Sequence, residues 1–309
     1  MKPTKYIWHK GRLVRWEEAT VHVLAHGLHY GSSIFEGIRV YDTPQGPAWF
    51  CLDAHLRRLG DTARIYRMPL PHDREAMANA CHEVVAANGL RSAYVRPIAY
   101  RGLGTLKVNG EASPVEVAIA AFEWGSYLGE EALRAGVDIG VSSWQRVAPN
   151  TLPTMAKAGA NYLSSQLITM EAARHGYAEG LALDSFGHVS EGAGQNIFLV
   201  RDGVLYTPPV AAAILPGITR QVVLELAGDL GIPVREMAIP REMLYTVDEI
   251  FLTGTASEIV PVRSVDGLEV GPGHRGPVTE RLQQAFFGLF DGTTPDTRGW
   301  LVPVRPSRS

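Results

Sequence analysis

The apolar positions at the start of the chain alternate as in a β-hairpin: Tyr6-Ile-Trp8 and Leu13-Val-Arg-Trp16 flank a turn at Lys10-Gly11. Further on, Leu56, Leu59, Ala63 and Tyr66 recur at helical spacing, and Asp53 stands where an N-cap is needed. A second helix is predicted over 75–87, with Asn88-Gly89 as its stop. Two β-rich runs follow, 93–100 and 115–122, separated by a Gly-bearing loop over 101–110. The pattern changes after Trp124. Residues 125–137 read as a connector, and a new strand set begins within 136–141. The second half predicts a helix over 162–174 ending at Gly176, and a hairpin over 196–206 turning at Asp202-Gly203. It also predicts a helix from about Thr219 to Gly231, a strand over 249–252 entering a Thr253-Gly-Thr-Ala256 turn, and an amphipathic helix over 278–290. Strands and helices alternate irregularly, which favours an α+β fold over a doubly wound parallel sheet. The expected division is a domain over 1–124, the connector, and a larger domain over 138–309.

Composition narrows the class without naming it. A chain of 309 residues suits two domains, and 46% hydrophobic with 20% charged residues is ordinary globular balance. A net charge of -3 argues against a general nucleic-acid binder. Cys51 and Cys81 make no framework, which fits a reducing compartment, although a single disulfide stays open. The polar start lacks a signal-peptide pattern and no apolar run is long enough to span a bilayer, so a cytoplasmic protein without membrane partners is expected. The ten histidines show no metal-like clustering.

Candidate chemistry gathers in a few windows. Lys157 is the only charged residue between Arg146 and Glu171, and small residues flank it. Two readings stand: a partly desolvated amine, whose neutral form attacks aldehydes, or a lysine snorkelling from an apolar helix end. Glu191 sits in Ser190-Glu-Gly-Ala-Gly-Gln-Asn196, either as a surface loop acid or as the carboxylate a pyridinium nitrogen requires. Leu215-Pro-Gly-Ile-Thr219 leads into a helix, either as a plain turn with a Thr N-cap or as an anion cradle built on backbone N–H groups. Arg57, in His55-Leu-Arg-Arg58, suits a phosphate, and the 253–258 turn offers an anion nest after a strand. Gly102-Leu-Gly104 is weak support for a dinucleotide site.

Taken together, these windows resemble the bacterial branched-chain amino acid aminotransferases, class IV aminotransferases of fold type IV. The resemblance runs from about Tyr6 to Trp300. It rests on His26-Gly-Leu-His-Tyr-Gly-Ser-Ser-Ile-Phe-Glu-Gly-Ile-Arg39, Ala93-Tyr-Val-Arg-Pro97, Ala156-Lys-Ala-Gly-Ala-Asn-Tyr162, 190–196, Leu215-Pro-Gly-Ile-Thr-Arg220 and Phe251-Leu-Thr-Gly-Thr-Ala-Ser-Glu258. It implies a small N-terminal α/β domain and a larger domain with a β-barrel-like core. It implies pyridoxal 5′-phosphate (PLP) held as a Schiff base by Lys157, which also moves protons. Transamination of L-leucine, L-isoleucine and L-valine with 2-oxoglutarate would then follow.

By the same resemblance Glu191 partners the pyridine nitrogen and Tyr162 the phenolic oxygen. Arg57, Ile218, Thr219 and Thr255 hold the phosphate, and Leu215 packs on the ring. Thr255 and Ala256 offer N–H groups to the substrate carboxylate. Tyr30, Phe35, Gly37, Trp124 and Tyr162 shape an apolar pocket, while Arg96 with Tyr30 and Tyr127, beside Tyr94, receives the distal carboxylate of glutamate. Relatives form dimers, often assembled into hexamers. Two features depart from the closest family members: Gln195 stands where they carry Glu, and the loop over 101–110 differs and contains Lys107. The rivals are D-amino acid or amine aminotransferases of the same fold, and a non-catalytic PLP-binding protein. Tyr94-Val-Arg96-Pro favours the branched-chain group.

Overall fold

The computed structural model describes residues 2–124 and 131–305. In chain order the first elements are β1 (Tyr6–His9), β2 (Arg12–Arg15), α1 (His26–Tyr30), β3 (Ser33–Phe35), β4 (Ile38–Thr43), β5 (Gly46–Phe50), α2 (Leu52–Ile65), α3 (Arg74–Ala87), β6 (Ala93–Arg101) and β7 (Val115–Phe122). Then come α4 (Ala132–Ala135), β8 (Val137–Val141), α5 (Tyr162–Arg174), β9 (Glu179–Leu183), β10 (His188–Gly192), β11 (Asn196–Arg201), β12 (Val204–Thr207) and α6 (Ile218–Asp229). The last are β13 (Val234–Glu236), β14 (Ile239–Pro240), β15 (Glu249–Gly254), β16 (Glu258–Val265), β17 (Leu268–Glu269), α7 (Pro277–Asp291) and β18 (Leu301–Pro303).

Two compact units result. One holds Met1–Trp124, Ala156–Ala160 and Phe290–Ser309, and the other Gly125–Met155 and Asn161–Leu289. The C-terminal segment therefore groups with the first unit, whereas the sequence pattern puts all of 138–309 in one domain. Pairing is the cause: β18 runs antiparallel to β5, matching Leu301 with Phe50 and Pro303 with Ala48.

The first unit is built on a sheet in the order β18-β5-β4-β6-β7-β1-β2, with β3 added on β6. Its core joins Ile38, Val40, Trp49, Val95, Ala99 and Ile119 from the sheet with Leu56, Leu59, Ala63 of α2 and Met77, Cys81, Val84 of α3. The Asp73 carboxylate caps α3 by accepting from the Ala76 N–H at 2.8 Å. Asp53 does not cap α2. The cap residue is Cys51, in a left-handed conformation (φ 54°) without a side-chain cap bond, and its N–H donates to Trp300 O at 2.7 Å. A contact nearly 250 residues away in sequence thus sets the helix start.

The same C-terminal segment carries a pH-sensitive contact. His82 Nδ1 accepts from Trp49 Nε1 at 3.1 Å and from the Arg305 N–H at 2.9 Å. Burial, helped by the nearby Arg305 charge, pushes the imidazole down to about 4 from 6.5. The unfolded chain therefore binds more protons between those values, so this contribution is complete above about pH 6.5 and is lost as pH falls toward 4. His82→Gln, which keeps an acceptor but cannot titrate, is expected to lose less of its urea midpoint between pH 7 and 4.5 than the native chain. Equal losses would contradict this.

The second unit is built on a ten-stranded sheet in the order β13-β12-β11-β15-β16-β8-β9-β10-β14, with β17 on β16. β10 passes into β11 through a tight turn in which Gly192 N–H donates to Gln195 O at 2.7 Å. The path β11-β15-β16-β8-β9-β10 therefore returns to its start, giving the barrel-like core expected. Alternate residues fill it: Ile139, Leu181, Val189, Ile197, Leu199, Ile250, Leu252, Val260 and Val262. The fold is thus α+β in two units. Among the described residues, no helix is long and apolar enough to cross a membrane, and no group of His, Cys, Asp and Glu is placed to hold a metal.

Candidate active site

In the first unit, the short Ala156–Ala160 segment lies against β3. Ile34 and Ala158 form an antiparallel bridge. Phe35 N–H donates to Lys157 O at 3.0 Å, and Lys157 N–H donates to Thr62 Oγ1 of α2 at 3.2 Å. The small residues around Lys157 are what permit this approach: a Cβ on Gly159 would collide with Ser33 Oγ. The lysine is half-buried, and its Nζ lies 4.9 Å from the centroid of the Phe35 ring.

The other face-sharing residues gather around the same ring. Tyr94 and Arg96 alternate with buried Val95 on β6, so they share a face. The Arg96 guanidinium lies 4.7 Å from the Phe35 centroid and 5.3 Å from that of Tyr94, and its Nη2 donates to Tyr94 Oη at 3.3 Å. Arg96 Nε is buried without a partner among the described residues. Trp124 packs on Tyr94 at 5.3 Å between centroids. Gly37 is required by this arrangement, because a Cβ there would overlap Tyr94 Oη. Tyr30 belongs to a different neighbourhood. Its ring packs on His26 at 4.6 Å, and its hydroxyl donates to Leu106 O at 2.8 Å in the loop over 101–110. The buried His26 ring fixes that loop too, at 3.1 Å from Lys107 O. Tyr127 lies outside the described residues.

Behind Lys157, α2 presents His55, Arg58 and Thr62 at helical spacing. Arg58 Nε and Nη2 donate to the two oxygens of buried Glu36 at 2.7 and 2.8 Å, and His55 Nδ1 is 2.8 Å from Glu36 Oε2. Burial opposes the Glu36 charge, but Arg58 and His55 outweigh it and hold the carboxyl well below its usual range. Arg57, the arginine expected at the phosphate, is exposed. The inward side chain is its neighbour, and helical spacing from buried His55 is the signal that distinguishes the two.

In the second unit, Glu191 is buried on β10 and fully oriented. Arg146 Nη2 is 2.9 Å from its Oε1, with both side chains less than a tenth exposed. Asn196 Nδ2 and the Leu215 N–H donate to Oε2 at 3.1 and 3.0 Å. Asn196 Nδ2 also donates to Leu215 O at 2.9 Å, and a Cβ on Gly217 would overlap its Oδ1. One amide thus ties the carboxylate to the turn that starts α6. That helix has Gly217 as N-cap with no side-chain cap bond, and Thr219 is buried in its first turn. Its first N–H groups therefore form an anion cradle.

Nearby, the turn over 255–257 links β15 to β16 and carries Thr255 and Ala256, while Thr253 Oγ1 and Ser257 Oγ are buried without partners among the described residues. Tyr162 starts α5 and is half-buried. Gln195 is buried beside Gly192. It helps to stabilise the charge of Glu179, with the Gly180 and Ala193 N–H groups, yet burial dominates and pushes Glu179 up to about 7. Sequence reasoning missed Arg146 and Asn196 as partners of Glu191. The first is distant in sequence, and the second was visible only as a neighbour of Gln195.

In the second unit, the buried, positively partnered carboxylate and the uncapped helix N-terminus tied to it suit the ring nitrogen and phosphate of PLP; in the first, the half-buried lysine suits its aldehyde. The model for the amino-transferase class IV family matches residues 33–265, and the chain belongs to that class. The branched-chain-amino-acid aminotransferase of Salmonella typhimurium is 56% identical over 304 residues, covering 98% of each chain. The crystal structure of the Escherichia coli branched-chain amino acid aminotransferase superposes with a TM-score of 0.97 at 56% identity, covering 98% of this chain and 100% of that one. The Thermobaculum terrenum enzyme, solved in its PLP form, superposes with a TM-score of 0.92 at 36% identity, covering 99% and 100%. Within its class, the chain belongs to the branched-chain-amino-acid aminotransferases.

Proposed function

We propose that this chain transaminates L-leucine, L-isoleucine and L-valine with 2-oxoglutarate, using PLP and releasing branched 2-oxo acids and L-glutamate. The observation that carries the reading is the Phe35 ring, which has the Lys157 amine 4.9 Å and the Arg96 guanidinium 4.7 Å from its centroid. An apolar side chain is stabilised there by about 0.8 kcal/mol per buried methylene, and a distal carboxylate meets Arg96 instead of being buried unpaired. Both halves of the exchange then use one pocket.

PLP, when bound, supplies an aldehyde that condenses with amines and a ring that draws electrons from the substrate α-carbon. The residues do the rest. Lys157 Nζ would hold the cofactor through its aldehyde and, when free, would move the α-proton. Glu191 holds the ring nitrogen, Tyr162 the phenolic oxygen, and Leu215 packs on the ring. The Ile218 and Thr219 N–H groups, Thr255 and an α2 arginine hold the phosphate; the inward orientation of Arg58 supports that residue in place of Arg57. Thr255 and Ala256 N–H groups take the substrate carboxylate. Phe35, Gly37 and Trp124 bound the side-chain pocket, with Tyr94 beside Arg96, whereas Tyr30 is turned to the loop over 101–110. Overpacking costs about 1–3 kcal/mol, so Gly37→Ala is expected to raise KM for L-leucine roughly tenfold by displacing Tyr94. An unchanged KM would contradict that role.

The exposed apolar residues Val23, Leu24 and Leu28 near α1, with Leu106 and Val108 on the loop over 101–110, support assembly into a homodimer or a homohexamer built of three dimers. Sedimentation as a monomer would refute it. Cys51 and Cys81 are buried and not joined in a disulfide, which accords with a cytoplasmic location. The function itself is tested by adding L-leucine to the PLP-loaded protein. The visible absorbance is expected to bleach and to return with 2-oxoglutarate. A stable band would indicate binding without catalysis, and bleaching by D-alanine but not L-leucine would indicate a different substrate class.

A further inference from the structure

Arg146 carries none of the roles above, yet it forms an ion pair with Glu191. It stands on the chain between β8 and Lys157, and three contacts besides the carboxylate fix it. Its N–H donates to Leu183 O at 2.9 Å, and its Nε and Nη1 donate to Ala213 O and Ser165 Oγ at 3.5 Å each. The backbone of Arg146 is thus anchored on β9, and its guanidinium on α5 and on the segment before Leu215. The 2.9 Å contact to Glu191 Oε1, with 6% and 7% of the two side chains exposed, is a buried ion pair. The other contacts of Glu191 in this unit described above, from Asn196 on β11 and from the Leu215 N–H, are neutral. Glu179, the titratable group on neighbouring β9, turns to the Gly180 N–H instead.

A buried carboxylate that loses a cationic partner takes up a proton more readily, because desolvation disfavours its charge. From this geometry we propose that Arg146 is a positioning residue for the cofactor: it keeps Glu191 ionised and aimed, ready to receive the ring nitrogen. This rests on the reading of Glu191 as the partner of PLP. Without the guanidinium, a larger share of Glu191 is protonated before PLP binds, and from that share a proton must leave when a protonated ring nitrogen arrives. Cofactor binding then becomes linked to pH through Glu191, weakening as pH falls, with a limit of about tenfold per pH unit. Lysine at this position restores a cation, although not the fork that reaches Ala213 and Ser165.

The test is titration of the apoprotein with PLP, followed by absorbance between pH 6 and 8, for the native chain, Arg146→Gln and Arg146→Lys. The expected result is steeper loss of affinity at low pH in R146Q than in the native chain, largely reversed in R146K. An R146Q profile parallel to the native one overturns the proposal. So does an R146K profile as steep as that of R146Q. Failure of the native chain itself to bind PLP would instead refute the functional reading. If R146Q does not fold, the double variant R146Q/E191Q decides: recovery of the native melting transition shows that the lesion was the unpaired carboxylate, and continued failure shows that Arg146 acts through something else.

Discussion

Replacing Lys157 with alanine is expected to lower turnover of L-leucine by roughly ten-thousand-fold or more, since one change removes the group proposed as both nucleophile and proton carrier. The fold should survive. The segment is held through backbone groups, Phe35 N–H to Lys157 O and Lys157 N–H to Thr62 Oγ1, and alanine keeps both. The Nζ contact with the Phe35 ring is a partly exposed one and contributes little to stability. Steady-state kinetics beside a thermal melt separates the two effects. Loss of turnover with a native-like transition is the expected pair. Turnover within tenfold of native would remove Lys157 from the chemistry.

The second large effect is expected at Glu191→Gln. The glutamine is nearly isosteric and keeps an acceptor for the Leu215 N–H, but it removes the charge that faces Arg146. Breaking one end of a buried pair costs about 3–5 kcal/mol, so the melting temperature should fall clearly, unlike that of the lysine variant. Loss of a preorganised charge at the ring nitrogen lowers turnover by roughly a hundred- to a thousand-fold. A variant with unaltered turnover would show that ring activation does not depend on this carboxylate.

Local structure was largely legible in the sequence. The helix over 162–174 and the hairpin turn at Asp202-Gly203 appear where periodicity and turn chemistry place them, both turn residues having positive φ. What was not legible is long-range. Asp53 looks like an N-cap, but the start of α2 is fixed at Cys51 by Trp300. The final residues read as part of the larger domain, but β18 completes the first sheet through β5.

The site shows the same split. Lys157 and Glu191 stood out by type and setting, whereas the Arg146 partner of Glu191 lies 45 residues away in sequence and only folding brings it near. The choice between Arg57 and Arg58 was within reach: with Leu52, His55, Leu56, Leu59, Thr62 and Ala63 buried on α2, the position three after His55 faces inward more than the position two after it. Tertiary packing, not propensity, decides each of these cases.

Of the lysines of the chain (2, 5, 10, 107 and 157), Lys157 is the one proposed to hold the cofactor. Borohydride reduction of the PLP-loaded protein, proteolysis and mass analysis of the peptides tests this most directly. A phosphopyridoxyl mass confined to the peptide containing Lys157 is the predicted result, and a label on another lysine, or on none, would contradict it.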